Sequence, residues 1–223
     1  MHSSKTIKTI KIIEAALSDF NENPLNTAPL TVVLGFLTGL RLGEMAAIKE
    51  KDIVGNVLYI QRIEEEVYDY SDLDHIRLVE RAVVDNTKTD AGIRQVPLVP
   101  QALKIIEAVK ISNKLNGWYD NGFLFLNKGE RMTTRTIKHR ISKYCQQCDI
   151  MEKSFHKVKK TYISALIDSG ININEIRKAV GHTDEQTTFS NYCYNRVGKV
   201  ETNALFGNVL IHENGIADCK IAI

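Results

Sequence analysis

The chain has 223 residues, 43% of them hydrophobic, with 29 Lys and Arg against 27 Asp and Glu for a formal charge of +2. That length and apolar share can bury a sizeable core, as one large domain or two small ones. The near-neutral balance excludes any argument for a nucleic-acid role from net charge, which leaves local basic patches to carry one.

No apolar run approaches the roughly 18 residues that cross a bilayer. The opening Met1-His-Ser-Ser-Lys5 lacks the apolar core of a secretion signal. Four cysteines make no disulfide framework, so a reduced, cytoplasmic setting is expected. Cys145-Gln-Gln-Cys148 has the spacing of a metal knuckle, but no second Cys/His pair stands at a suitable distance. The two also share a helical face, where ordinary packing suffices, and no metal is expected.

Ile10, Ile13, Leu17 and Phe20 recur at helical spacing and predict an amphipathic helix over 6–20, ended by Asn21-Glu-Asn-Pro24. Residues 29–38 are densely apolar, which predicts a buried helix capped at Gly39, followed by a short helix over 43–48. Residues 57–67, 76–84 and 93–99 are rich in β-branched and aromatic side chains. They predict a three-stranded antiparallel sheet with a long first hairpin and a tight second turn containing Lys88. Pro100 suits the start of a helix over 101–115. Phe123–Phe125 reads as a short buried strand or extended segment, and a helix begins near Thr134 with Ile137, Ile141 and Tyr144 inward. Its remaining positions carry Arg135, Lys138, His139, Arg140 and Lys143. Further helices are expected over 156–169 and from Ile173 to Val180, closed by Gly181. Thr183-Asp-Glu-Gln186 is a capping box for another. Residues 197–205 are weakly helical, and Asn214-Gly215 marks a terminal hairpin. There are no internal repeats.

Seven positions could carry chemistry. Arg41, held between rigid elements in a Thr-Gly-Leu-Arg-Leu-Gly-Glu turn, suits a bidentate grip on phosphate; alone it reads rather as a surface arginine paired with Glu44. Lys88 in its turn is by itself an ordinary solvated lysine. His156, Lys159 and Lys160 share a helical face, where neighbouring cations loosen the imidazole proton; the plain alternative is a solvated basic face. His182 alone is a structural hydrogen-bonding residue and Tyr192 a core residue, although a tyrosine flanked by cations can act as a nucleophile. Ten residues of unbroken helix span about 15 Å, so His182 and Tyr192 meet one phosphate only if the chain bends between them.

Taken together, these stretches resemble the tyrosine recombinase (integrase) family, especially integrases of phages and conjugative transposons. The matching segments are Thr38-Gly-Leu-Arg-Leu-Gly-Glu44, Thr87-Lys-Thr-Asp-Ala-Gly-Ile-Arg-Gln-Val-Pro-Leu98, His156-x-x-Lys159, and Val180-Gly-His-Thr-Asp-Glu-Gln-Thr-Thr-Phe-Ser-Asn-Tyr192. They occur in family order and cover the chain to about residue 195. The resemblance implies an α+β, mainly α-helical catalytic domain with a small three-stranded antiparallel β-sheet inserted between helices. That domain would span 1–206, with 207–223 a C-terminal extension and the family's N-terminal DNA-binding domains lying outside the chain.

The activity implied is site-specific recombination without metal or nucleotide cofactor. Tyr192 would attack the scissile phosphate to form a 3′-phosphotyrosine and release a 5′-hydroxyl; Tyr194 fits the spacing less well. Arg41 and Lys159 would hold the non-bridging oxygens, Lys88 would protonate the leaving oxygen, and His156 and His182 would manage protons. Arg135, Lys138, His139, Arg140, Lys143 and Lys160 would contact DNA, positioning more than specifying. Double-stranded DNA is the implied partner, in a homo-tetramer on paired sites that exchanges C-terminal segments such as 197–205, and no membrane is involved. The departure is Lys159, where the family carries arginine. Lysine keeps the charge and loses the planar fork, so the alternative is a recombinase-like DNA-binding domain with impaired or no cleavage.

Overall fold

The structure is a computed structural model and describes residues 4–85 and 94–181. The capping box at 183–186, the helix expected over 197–205 and the terminal hairpin lie outside those residues. So do Lys88, His182, Tyr192 and Tyr194.

Helix α2 (Ala28–Thr38) is the centre of the molecule, with ten of its eleven residues buried. It is apolar all round, which is what a helix with neighbours on every side requires. Its two threonines satisfy their hydroxyls within the helix, Thr31 on the Ala28 carbonyl at 2.6 Å and Thr38 on the Leu34 carbonyl at 2.7 Å. Around it pack α1 (Ser4–Glu22), α4 (Pro100–Asn116), α5 (Thr134–Gln147) and α6 (Phe155–Asp168). The short α3 (Leu42–Ala46) follows α2 after one turn, and α7 (Ile173–Val180) follows α6. The inward stripe of α1 is rotated from the expected one: Ile12 and Ala16 are fully buried while Ile10 is 40% exposed. Ile7, Ile10, Ile12 and Ile13 surround the helix, so periodicity alone does not choose a side.

The β-structure differs from the expected meander. The stretch read as one long strand breaks at Gln61 into β2 (Val57–Ile60) and β3 (Arg62–Asp69). Strand β2 lies between β1 (Ile53–Val54) and β5 (Arg94–Pro97) in the three-stranded sheet, whereas β3 pairs only with β4 (Arg77–Asp85) as a separate hairpin. At the break, Arg62 pairs with Asp52 in the preceding 3₁₀ turn. Leu58 and Ile60 of β2 turn inward, opposite Val96 and Arg94 of β5. Composition identifies strand-forming stretches; the partner that completes each ladder is set by tertiary contacts. A further small pair, β6 (Leu126–Asn127) with β7 (Glu130–Arg131), falls just beyond the Phe123–Phe125 stretch.

The path from α2 into α3 depends on Gly39. Its φ of +62° ends the helix in the left-handed conformation, and an added Cβ would lie 2.2 Å from the Tyr162 ring of α6. Gly39→Ala should therefore cost about 2–4 kcal/mol in urea unfolding. Gly117→Ala should cost less: its φ of +65° carries the same backbone strain, but the added carbon meets nothing within 4 Å. Equal losses would remove Tyr162 from this account.

Candidate functional site

The site grows out of one buried carboxylate. Glu44 on α3 is 1% exposed, and an ionised carboxylate at that depth requires cationic partners. It has two. The guanidinium of Arg94, at the start of β5, donates Nη1–H to Oε1 at 2.6 Å and Nη2–H to Oε2 at 2.7 Å. Arg41 donates its Nη1–H to Oε1 and its backbone N–H to Oε2, each at 2.7 Å. Burial by itself would raise the carboxyl's pKa, but the bonds and charge of Arg94, joined by Arg41, hold it at about 2.

Both arginines reach beyond Glu44 to the same helix end. Arg94 Nε donates to the Ala179 carbonyl at 2.8 Å, and Arg41 Nη2 donates to the Gly181 carbonyl at 2.9 Å. Lys159 Nζ, from α6, donates to the carbonyl between them, Val180, at 2.7 Å. Three cations from α3's approach, β5 and α6 thus cap three consecutive carbonyls at the C-terminus of α7. Those carbonyls have no partner within the helix and form the negative end of its dipole, so cations are stabilised there. Gly181, with φ of +66°, ends the helix and directly precedes His182 in the chain.

Lys159 is only 3% exposed. Burial first, then the charges of Arg41 and Arg94, push its ammonium down to about 7 against the opposing pull of Glu44. The expected single basic face of His156, Lys159 and Lys160 is therefore divided: Lys159 is interior, Lys160 half-buried and His156 exposed. Phe155, Val158 and Tyr162 stand at helical spacing with Lys159, so the same periodicity points it toward the core. Burial, followed by the charges of Lys160, Lys159 and Arg41, holds the His156 imidazole below its usual range. Arg41, His156 and Lys159 are thus electrostatic neighbours.

The cations of α5 also divide. Arg135, Lys138 and His139 line a groove of about 650 Å³ shared with Glu64, Glu66 and Arg81 of the β3–β4 hairpin. Arg140 and Lys143 turn the other way and meet Asp19 of α1, at 3.4 and 2.8 Å. Tyr144 donates its hydroxyl to the same carboxylate at 2.5 Å. Burial opposes ionisation of Asp19, but the bonds from Lys143 and Tyr144 prevail and hold its pKa low. Tyr144, buried and facing that anion, is raised. The N-terminus of α5 is fixed by buried Glu64, which accepts from Thr134 N at 2.8 Å and Thr134 Oγ1 at 2.6 Å and pairs with Arg131. Cys145 is buried in the α1–α2–α5 core, and Cys148 Sγ contacts the Lys11 carbonyl at 3.5 Å.

Glu44 entered the sequence reading only as a possible partner of Arg41, and Arg94 had no role there. A signal for Arg94 existed: in Arg94-Gln-Val-Pro-Leu98 it shares parity with Val96 and Leu98, the inward face of an alternating strand. A charge on that face demands a partner.

A sequence profile of the phage integrase family matches residues 10–198. The chain belongs to this family, whose members are the tyrosine recombinases. The integrase of Staphylococcus phage L54a is 26% identical over 219 residues, covering 86% of this chain and 60% of that protein. The ICEBs1 integrase of Bacillus subtilis (strain 168) is 27% identical over 165 residues, covering 71% of this chain and 42% of that one. The chain thus spans 60% or less of either relative's length. Among solved structures, the Tn1549 transposon integrase in complex with transposon right end DNA superposes with a TM-score of 0.65 at 18% identity, over 81% of this chain and 58% of that one. The XerA recombinase gives 0.64 at 19% identity, over 93% and 62%. These likenesses establish the recombinase catalytic fold.

Because Glu44 is held at about 2 against an ordinary value of 4.5, it stabilises the fold fully above about pH 4.5. That contribution falls away as the pH drops toward 2. Glu44→Gln should flatten this part of the pH–stability curve. It should also cost about 3–5 kcal/mol near neutrality, because it leaves Arg94 as a buried cation without its anion. Urea unfolding of both proteins from neutral to acid pH measures the effect.

Proposed function

We propose that this chain cuts and rejoins DNA strands in site-specific recombination of mobile DNA through a tyrosyl–phosphate intermediate. The observation that carries the reading is the gathering of Arg41 and Lys159 at the end of α7, immediately before His182 in the chain, with His156 one helical turn from Lys159 and within reach of both charges. In this reading Tyr192 attacks phosphorus, the new bond is to the 3′-phosphate, and the 5′-oxygen leaves with a proton from Lys88. Arg41 and Lys159 offset charge on the non-bridging oxygens, and His156 and His182 hold the phosphate and exchange protons with it. Reversal by a 5′-hydroxyl of another strand conserves the phosphoester, so the chemistry calls for neither metal nor nucleotide.

The partner is double-stranded DNA, met by Arg135, Lys138 and His139 on the exposed face of α5, with Lys160 beside the scissile phosphate. Arg140 and Lys143 join only in exchange for Asp19. The working assembly in this reading is a homo-tetramer on paired sites. A groove of about 1060 Å³, with an apolar floor of Val57, Tyr162, Leu166 and Ile176 and charged lining from Glu175 and Lys178, is a fitting seat for segment 197–205 of a neighbouring copy.

A pool of nicked duplexes with randomised sequence around the nick tests the reading without knowledge of the target. The 223-residue chain should form adducts that survive denaturation, and Tyr192→Phe should form none. DNA binding without adduct would favour a non-cutting DNA-binding domain, and absence of binding would sink both. On the duplex enriched in this way, adduct formation at subsaturating DNA should fall about tenfold per pH unit above about pH 7, as Lys159 loses its proton. Lys159→Arg should abolish that alkaline limb and raise the rate about tenfold or more, since a guanidinium grips two oxygens and stays charged. An unchanged profile would exclude Lys159 from the phosphate site.

Asp19→Asn keeps an acceptor for Tyr144 while releasing two cations. It should steepen the fall of log K with log salt by about one to two units; an unchanged slope would place Arg140 and Lys143 outside the DNA contact.

A further inference from the structure

We propose that Arg94 is a positioning residue for the strand-transfer site, clamping the Arg41–Glu44 turn to the last turn of α7 so that Arg41 and Lys159 keep one relative geometry. The inference rests on the recombinase reading above for its reaction and on geometry for its clamp.

One buried side chain touches two parts of the site. Arg94 occupies the first residue of β5. Its two terminal nitrogens take both oxygens of Glu44, the carboxylate that also holds Arg41 by backbone and side chain. Its remaining N–H, at Nε, takes the Ala179 carbonyl. The planar fork is filled on two edges by two elements that, among the described residues, are otherwise joined at this point only through the half-exposed Arg41, which reaches Gly181, and its 4% side-chain exposure leaves no room for solvent to replace either bond.

The division between Arg94 and Arg41 is one of burial. Arg41 has 40% of its side chain exposed and faces Gly181 through one nitrogen, so it can give up a carbonyl for a phosphate oxygen. Arg94 cannot, because exchange would strip Glu44 and α7 together. Arg94 therefore acts through other residues and is not expected to touch DNA. The charged groups around Lys159 are Arg41, Glu44 and Arg94 from the neighbouring elements and His156 on its own helix, and Arg94 is the fixed cation among them.

The test compares Arg94→Lys and Arg94→Met with the parent chain by three measurements. Hydrogen exchange should rise at the Arg41–Ala46 turn and the α7 C-terminus in both variants while α2 and α4 stay protected. Lysine keeps a cation for Glu44 but cannot reach both carboxylate oxygens and Ala179 together, so it is the variant expected to fold without loss. Affinity for the enriched duplex should stay within about threefold, while single-turnover adduct formation should fall roughly tenfold to a hundredfold, the cost of a small misplacement of reacting groups. The alkaline limb assigned to Lys159 should move to higher pH in Arg94→Met, which removes a neighbouring cation, and stay in place in Arg94→Lys.

Unchanged exchange at both segments in Arg94→Lys would overturn the clamp whatever the activity. Raised exchange with a parental adduct rate would overturn the positioning role. Absence of adduct from the parent chain would sink the recombinase reading and the positioning role with it, and exchange would still decide whether the clamp exists.

Discussion

The ion cluster at Glu44 is the constraint from which the rest of the site follows. A carboxylate this deep loses its hydration, and only closely bonded cations compensate it. Two arginines from sequence-distant elements supply that compensation and leave the cluster with a net positive charge. Burial first, and then that excess, produce the unusual state of Lys159, a third cation in the same low-dielectric space. It also explains the attraction of the three groups to the C-terminus of α7, where unpaired carbonyls are the best available acceptors. Glu44, Arg94, Arg41 and Lys159 form one coupled unit, and a change to any of them is felt by the others.

That coupling gives the carbonyls of Ala179, Val180 and Gly181 a second meaning. They present oxygens to Arg41 and Lys159 as a phosphodiester would on the proposed reading. Exchange of one set of oxygens for the other conserves hydrogen bonds, so its cost is modest, while an arriving anion favours the charged form of Lys159. On that reading Lys159 carries a conditional charge.

Elsewhere the same device recurs on a smaller scale. Asp19 ties α1 to α5 through Arg140, Lys143 and Tyr144, and Glu64 ties β3 to the start of α5 through Thr134 and Arg131. The orientation of α5, and with it the direction in which Arg135, Lys138 and His139 project, is decided by these two acids. The number of basic residues along the helix does not decide it.

The sequence by itself determined the helical elements, their order, and the family through motifs that lie in register with them. Apolar spacing also marked α2 as the buried centre and closed α2 and α7 at Gly39 and Gly181. These are local properties, set by propensity, periodicity and glycine's access to left-handed backbone. Tertiary structure alone decided that 57–60 pairs with 94–97 and not with the strand that follows it, that Ile12 and not Ile10 faces the core, and that Arg140 and Lys143 are held by Asp19. It also decided that Glu44 is shared by Arg41 and Arg94, the latter 50 residues away in the chain. Periodicity states which face of an element is apolar, and for Arg94 and Lys159 it even points inward. The partner waiting there is fixed by packing, because charges distant in sequence meet only where the fold removes the water between them.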